Sequence, residues 1–508
     1  MSKSKILRST LIIMVVSVFS RSLGFIRDLL IAANFGTGIN TDSYNIAVTI
    51  PETLFMVIGL AISTSFLPVL SEQLIKNGKE EMYNFANRFI TLLLIISVGV
   101  FVLAIIFAEQ IVPIFARGFS GQKLVLTIFL TRITVFNLLF LAVNACFSAM
   151  LQVNEDFIVP SILGLFFNTP IILYLLLFHS YSIIGLTIAN VAGNLIRVLV
   201  QIPPLIKHGY KFKLNFNLKD PRVKKVLILI IPVIIGAGAN SLNVVVDKTI
   251  ASSLKTGSVS ALDFAQKLVV FLNTIITSSI LTVTYPLIAN KRNSGDSQAL
   301  IEYIKKTIIY TLLLLIPISI GAIIFSQDII KIVYMRGAFT QDSVDLTTLA
   351  FIGYLIGLAF YGLRDILNSA LFAMNKTVDT TVNGIIGVTI NIILNLSLSK
   401  IFGILGIAIA TSSSLIITSV LLLFNLKRVI NEFNLRLIFF KILKIICASV
   451  IIGLLIVIFN NLVRIEINLG IILIVTGLAA IIYYFLCLLF RINEIKEITS
   501  ILRKFGRC

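Results

Sequence analysis

The sequence predicts an all-α polytopic membrane protein of about fourteen transmembrane helices: two parallel, pseudo-symmetric six-helix lobes followed by two C-terminal helices. Three observations predict it. The 508 residues are 58 % hydrophobic and 13 % charged, more apolar surface than a soluble domain hides. Many apolar runs reach about 20 residues, the length that crosses a hydrocarbon core. Short motifs also recur in the same order at a nearly constant offset. A β-barrel would need short alternating strands, whereas these runs are continuous.

Taken in order, the expected spans cover approximately 8–35, 44–70, 88–112, 124–151, 157–179, 182–205, 224–251, 263–288, 303–326, 343–372, 380–400, 403–426, 439–460 and 467–490. The basic N-terminus runs into an apolar stretch without a cleavage site, which reads as a retained first helix rather than a signal peptide. Trp is absent, so Phe and Tyr are left to mark the interfaces. Lys3, Lys5 and Arg8, the segment from Lys207 to Lys225, Lys291 with Arg292, Lys427 with Arg428, and the tail from Arg491 to Arg507 all fall on one side. The positive-inside rule makes that side, and both termini, cytoplasmic. The net charge of +19 then reflects cytoplasmic loops and affinity for membrane lipids rather than nucleic acid.

The basic segment divides the chain. The expected organisation is an N-terminal lobe at 1–207, a cytoplasmic linker at 208–225, a C-terminal lobe at 226–428, and spans thirteen and fourteen with the basic tail at 429–508. Ser148–Asn154 (SAMLQVN) reappears as Ser369–Asn375 (SALFAMN), and Ile183–Ala189 (IIGLTIA) as Ile404–Ala410 (ILGIAIA). Ile114–Phe119 (IFARGF) returns as Val333–Phe339 (VYMRGAF). A repeat of six spans keeps its orientation, so its copies are related by an axis along the membrane normal.

That organisation suits a transporter alternating access at the lobe interface. No re-entrant filter repeat suggests a channel, and no GxxxxGK[ST] suggests ATP use. Nothing points to an enzyme. Neither His179 nor His208 has a metal-ligand companion, and Cys146, Cys447, Cys487 and Cys508 have no metal or disulfide spacing.

Function therefore rests on charges inside apolar helices. Arg21, Arg27 and Asp28 interrupt span one, with Arg21 near its middle, where an arginine costs at least about 2.5–3.5 kcal/mol. Arg21, Gly24 and Asp28 share a face and Arg27 points about a third of a turn away, which fits a helix lining a broad polar cavity. A structural Arg–Asp pair joining two helices is the alternative. Asp42 is either a loop charge or a gate residue pairing with a cation. Lys267 in span eight either lines the cavity or snorkels to the interface. Asn168 in span five is either a cavity residue or an interhelical hydrogen bonder. Asp247 in span seven, with Asn375 and Asp379 before span eleven and Asn391 and Asn395 within it, supplies hard oxygen donors suited to Na⁺. Ordinary hydrogen bonding is the alternative for each asparagine. Arg364 and Asp365 read as a local pair.

The stretch from Ser20 to Leu54 (SRSLGFIRDLLIAANFGTGINTDSYNIAVTIPETL) carries SR-x-LG-x-x-RD, then FG-x-G-x-x-TD, then a proline. It resembles the start of the MurJ (MviN) family of lipid II flippases, in the multidrug/oligosaccharidyl-lipid/polysaccharide exporter superfamily. Fourteen spans, parallel lobes and RG-x-F loops extend the resemblance over essentially the whole chain. It implies movement of the undecaprenyl-pyrophosphate-linked disaccharide-peptide from the inner to the outer leaflet of the bacterial cytoplasmic (inner) membrane. Cell-wall synthesis enzymes would be further partners. The resemblance also implies that Arg21, Arg27, Asp28, Asp42, Asn168 and Lys267 form the substrate site. Asp247, with Asn375, Asp379 and Asn391, would offer ligands for a coupling Na⁺; no other cofactor is expected. Spans thirteen and fourteen would offer a groove for the prenyl tail.

Two departures from the family pattern stand out. Span two has Phe55 and Met56 where relatives have arginine, and span eight has Gln266 and Lys267 in place of an acid–arginine pair. A lysine attracts pyrophosphate as a point charge without the fork of a guanidinium, so more of the binding falls on Arg21 and Arg27. Two rival readings remain: an exporter of another lipid-linked oligosaccharide or of cationic drugs, and a non-transporting scaffold for cell-wall enzymes.

Overall fold

The computed structural model describes residues 3–178, 181–216, 220–463 and 469–497; within them there are helices and connecting turns and no strand. The helices are α1 (Lys3–Phe35), α2 (Ile39–Ala61), α3 (Leu67–Ile106), α4 (Ala108–Phe115), α5 (Gly121–Thr134), α6 (Asn137–Val153), α7 (Ile158–Leu177) and α8 (Ile183–Lys207). There follow α9 (Pro221–Ser252), α10 (Ser258–Asn293), α11 (Ser297–Ile324), α12 (Ser326–Tyr334), α13 (Gln341–Ala373), α14 (Thr377–Phe402), α15 (Ile404–Val429), α16 (Leu435–Val463) and α17 (Leu469–Leu489).

Within the described residues the expected spans fall on helices, some of them running across more than one element. Among the described residues, eleven stretches are long and apolar enough to cross a membrane. The other three expected spans are α1, α2 and α9, each of which includes side chains outside the description. The protein is thus a multi-pass helical membrane protein.

Several edges differ from the sequence expectation. Span three stops at Ile106, because Phe107 leaves helical geometry (φ −96°, ψ 19°) and α4 starts afresh. Span four is two helices, α5 and α6, with a turn at Val135–Phe136. Gly78 (φ 80°, ψ 178°) breaks α3 near its start, and a π-helical turn at Ile62–Phe66 joins α2 to α3. An unbroken apolar run reports depth in lipid and carries no mark of such turns.

The chain forms two compact units. The first comprises Met1–Ser260 with the short loop Arg336–Thr340. Here α1 packs on α7, α7 on α8, α2 on α5 and α9, and α6 on α3 and α8. Its core gathers Phe66, Phe85, Phe89, Met150 and Leu205, with the rings of Phe66 and Phe89 stacked at 4.5 Å. The connector after α8 is stitched down: Tyr210 donates to Asn87 Oδ1 (2.8 Å), Asn87 to the Lys211 carbonyl (3.0 Å), and the Asn215 amide to Thr91 (3.1 Å). Asp220 caps α9 and accepts from Arg88 and Arg222.

The second unit comprises Ala261–Met335 and Gln341–Cys508. There α13 packs on α11 and α15, α14 on α15, and α16 on α11 and α17. In lipid no hydrophobic force drives helices together, so close packing of small residues does. Gly353 and Gly357 of α13 supply it. A Cβ on them would stand 2.5 Å from Ala408 and 2.6 Å from Ser412, and Ser412 donates to the Gly353 carbonyl at 2.6 Å. The repeated motifs land on matching element ends: Ile183 opens α8 and Ile404 opens α15, while the RGF loop at Arg117–Phe119 follows α4 and the RGAF loop at Arg336–Phe339 follows α12.

Candidate functional site

The first cluster is built on α1, α7 and α8. Arg27 donates through Nε (3.1 Å) and a terminal nitrogen (2.9 Å) to the same Asp28 oxygen, and through its other terminal nitrogen to Asn168 Oδ1 (3.0 Å). Asn168 is itself fixed, because its amide donates to the Gly164 carbonyl one turn back (2.7 Å). Asp28 is 5 % exposed. The Arg27 guanidinium also lies 5.5 Å from the centre of the Phe167 ring. Arg197 of α8 approaches that ring at 4.3 Å. Gly193, one turn before Arg197, makes this possible: a Cβ there would stand 2.5 Å from the Phe167 carbonyl, so only glycine lets α8 come this close to α7.

The expected companions Arg27, Asp28 and Asn168 are thus brought together, and the guanidinium is oriented by two acceptors. Arg21 is exposed and has no hydrogen bond or ion pair among the described residues. Arg197 was missed at the sequence level. The signal was there, a charge in the apolar run NLIRVLV of span six, and the depth argument used for Arg21 applies to it equally.

Asp42 belongs to a different cluster in the same unit. It is completely buried. One carboxylate oxygen accepts from Lys123 Nζ (2.7 Å) and the Gly257 amide (2.8 Å). The other accepts from the amide (2.8 Å) and hydroxyl (2.7 Å) of Ser260. Lys123 in turn sits 3.9 Å above the Phe119 ring. Asp42 therefore ties α2 to α5 and to the start of α10, where the helix dipole favours an anion.

Two loops with the RG motif close around this cluster. The Ala338 amide donates to the Ala33 carbonyl at 2.7 Å, and Gly337 (φ +57°) has no room for a Cβ, which would stand 2.2 Å from that carbonyl oxygen. The Gly118 amide donates to Ser252 Oγ at 3.0 Å, and a Cβ on Gly118 would lie 2.4 Å from the Ser252 carbonyl oxygen. Each loop thus latches onto the C-terminal end of a long helix, α1 or α9.

Lys267 lies in the second unit, paired with Asp263 one turn earlier at 2.7 Å. The acid partner that seemed absent from span eight is therefore present, four residues before the lysine rather than beside it. Arg364 and Asp365 form the expected local pair (3.2 Å), with Asn273 donating to Asp365 at 3.0 Å.

The cation-ligand set needs correction. Asp379 and Asn391 lie on α14, which runs unbroken from Thr377 to Phe402. Twelve residues at about 1.5 Å each put them about 18 Å apart along the axis, too far to share an ion. Asn391 instead donates across to Thr411 of α15 (3.1 Å), the interhelical bonding that was its alternative, and accepts from Asn395 one turn on in α14 (2.7 Å). Asn375, at positive φ (59°), and Asp379, in the first turn of α14, stay close in sequence and offer hard oxygens. Asp247 is half-buried on α9 in the first unit. Among the described residues no three His, Cys, Asp or Glu side chains gather as a metal site. His208 lies 3.7 Å from Asp156, and His179 is outside the described residues.

The chain is thus a multi-pass helical membrane protein with arginines held inside its spans. An inward-facing multidrug resistance MATE family transporter of the MOP superfamily shares this fold, with a TM-score of 0.67 at 12 % identity over 82 % of this chain and 97 % of that one. The family described as "Lipid II flippase MurJ" matches residues 31–480, and the chain belongs to it. The Lipid II flippase MurJ of Thermosipho africanus is 30 % identical over 423 residues, 83 % of this chain and 86 % of the relative. The probable lipid II flippase MurJ of Rickettsia prowazekii is 29 % identical over 410 residues, 80 % of each chain. A solved structure titled "Lipid II flippase MurJ, inward closed conformation" superposes with a TM-score of 0.82 at 27 % identity, covering 95 % of this chain and 99 % of that one.

Proposed function

We propose that this chain flips lipid II, the lipid-linked peptidoglycan precursor, from the inner to the outer leaflet of the bacterial cytoplasmic membrane for cell-wall synthesis. Both termini are cytoplasmic in this reading. Family membership supports the substrate, and one observation carries the mechanism: Arg27, inside a spanning helix, is oriented by Asp28 and Asn168. A guanidinium held this way at depth has a use only for a ligand or a partner. A pyrophosphate-linked headgroup cannot cross hydrocarbon unaided, while its prenyl tail can stay in lipid. Cationic side chains lining a central cavity lower the barrier for the headgroup, and alternating access moves it between leaflets.

Energy comes from the membrane potential, worth about 2.3 kcal/mol per charge per 100 mV, or from a Na⁺ gradient. Asn375 with Asp379, and separately Asp247, offer hard oxygen donors for that ion. A drug exporter of the superfamily is the lesser reading, because a cavity for cationic drugs calls for carboxylates where this chain has arginines.

The test is depletion of the protein in cells with no other flippase, following the leaflet distribution of lipid II. Accumulation in the inner leaflet is expected; undiminished outward movement would refute the assignment. Transport unchanged both by replacing Na⁺ and by Asp247→Asn would remove the coupling ion.

A further inference from the structure

Arg197 poses a question that the Arg27 pair does not. Other hydrogen-bonded arginines on the long helices touch a carboxylate: Arg27 has Asp28, Arg88 and Arg222 have Asp220, Arg132 has Glu109 and Arg364 has Asp365. Among the described residues Arg197 has none within ion-pair distance. Its one side-chain hydrogen bond goes to the neutral Asn194 Oδ1, at a long 3.3 Å, and its Nε is buried without an acceptor. Glu52 and Arg27 both lie within electrostatic range, the first attracting and the second repelling it.

Two guanidiniums therefore press on one ring, Phe167, and their Cζ atoms are within about 10 Å of each other. Stacking on an aromatic face is a weak attraction and does not replace a direct anionic partner inside a spanning helix. Like charges at this separation repel more strongly the drier the surroundings. Glu52 balances part of this charge from a distance, yet it makes no direct bond to Arg197, whose Nε is left as a donor with no acceptor beside a second guanidinium. A ligand with two phosphoryl groups could accept bidentate bonds from both forks at once.

We propose that Arg197 is a substrate-binding residue, the second guanidinium of a pyrophosphate cradle formed with Arg27 around Phe167. It supplies from α8 the fork that span two, with Phe55 and Met56, does not. Phe167 is the ring that both guanidiniums share, and Asn168 and Asn194 set their directions. Gly193 is the positioning residue that lets α8 deliver Arg197 to the ring. The inference rests on the lipid II reading above.

The experiment is equilibrium binding of radiolabelled undecaprenyl pyrophosphate to the purified full chain in lipid nanodiscs, with undecaprenol as the uncharged control. Arg197→Gln is expected to weaken the pyrophosphate at least tenfold and leave undecaprenol unchanged, with Arg197→Lys between it and the wild type. If the glutamine variant does not fold, a selective loss in the lysine variant carries the test. Wild-type binding by Arg197→Gln overturns the inference while leaving the flippase reading intact. Equal loss of both ligands assigns Arg197 to packing and overturns it too. A wild-type protein that does not prefer the pyrophosphate to the alcohol overturns the lipid II reading, and this inference with it.

Discussion

Half-buried Arg27 and fully buried Asp42 are charges in the same unit, and they differ in what is left over. The Asp42 carboxylate accepts four hydrogen bonds, from Lys123, Gly257 and Ser260, so every approach to it is filled. Arg27 spends its donors on Asp28 and Asn168 from one side, and beside it stands Arg197 with a free donor. A saturated charge is a clamp; a charge oriented but not saturated is a site. Burial alone does not tell the two apart, but a count of donors and acceptors does.

The largest effect should come from breaking the clamp. Asp42→Ala leaves Lys123 buried without its anion, and losing one partner of a buried pair costs about 3–5 kcal/mol. We expect a strong fall in the thermal midpoint of the purified protein, partly relieved in Asp42→Ala/Lys123→Met. A midpoint equal to the wild type would show that Asp42 is no clamp. Arg27→Ala should abolish complementation of a depleted strain while the protein still inserts, although leaving Asp28 without its cation lowers the midpoint as well. Normal growth of that strain would demote Arg27 to packing.

The loops around the clamp come next. Gly337→Val places a side chain where its Cβ would stand 2.2 Å from a backbone carbonyl, at a φ that β-branched residues avoid. Gly121→Ala meets a positive φ (+54°) but open space, so it should cost about 1 kcal/mol, well below Gly337→Val. Equal midpoints for the two variants would mean that the RG loop does not latch.

The smallest effect tests a second saturated acid. Burial alone would raise the Asp220 pKa, but hydrogen bonds from Arg222 and Arg88 prevail and hold it at about 2, below the ordinary 3.8. Its contribution to stability is complete above about pH 4 and is lost as the pH falls toward about 2. The difference in melting between wild type and Asp220→Asn should therefore be constant from pH 7 to 5 and shrink below pH 4. A gap that persists at pH 2.5 would show that the shift is absent.

Much of the site was legible because lipid makes charges conspicuous. Arg27, Asp28 and Asn168 stood out in apolar runs, and they do meet. Lys267 was legible as a cation, but its acid, Asp263, was not sought a turn away, although i, i+4 neighbours share a face. Asn391 was grouped with Asp379 by type of donor, and the length of α14 separates them. Arg197 had the same signal as Arg21 and was passed over because no motif surrounds it.

The sequence by itself determined the membrane class, the positions of the helices and the repeated order of elements. Hydropathy summed over about 20 residues is a local quantity, and the chain alone contains it. Only the tertiary structure decided which charges are spent. Asp42, Lys123 and Ser260 are separated by 81 and 218 residues from the first to each of the others, and so are Arg27, Asn168 and Arg197 scattered along three helices. A carboxylate is satisfied within about 3 Å or not at all, so its role is settled by packing, at a scale that residue type and spacing do not reach.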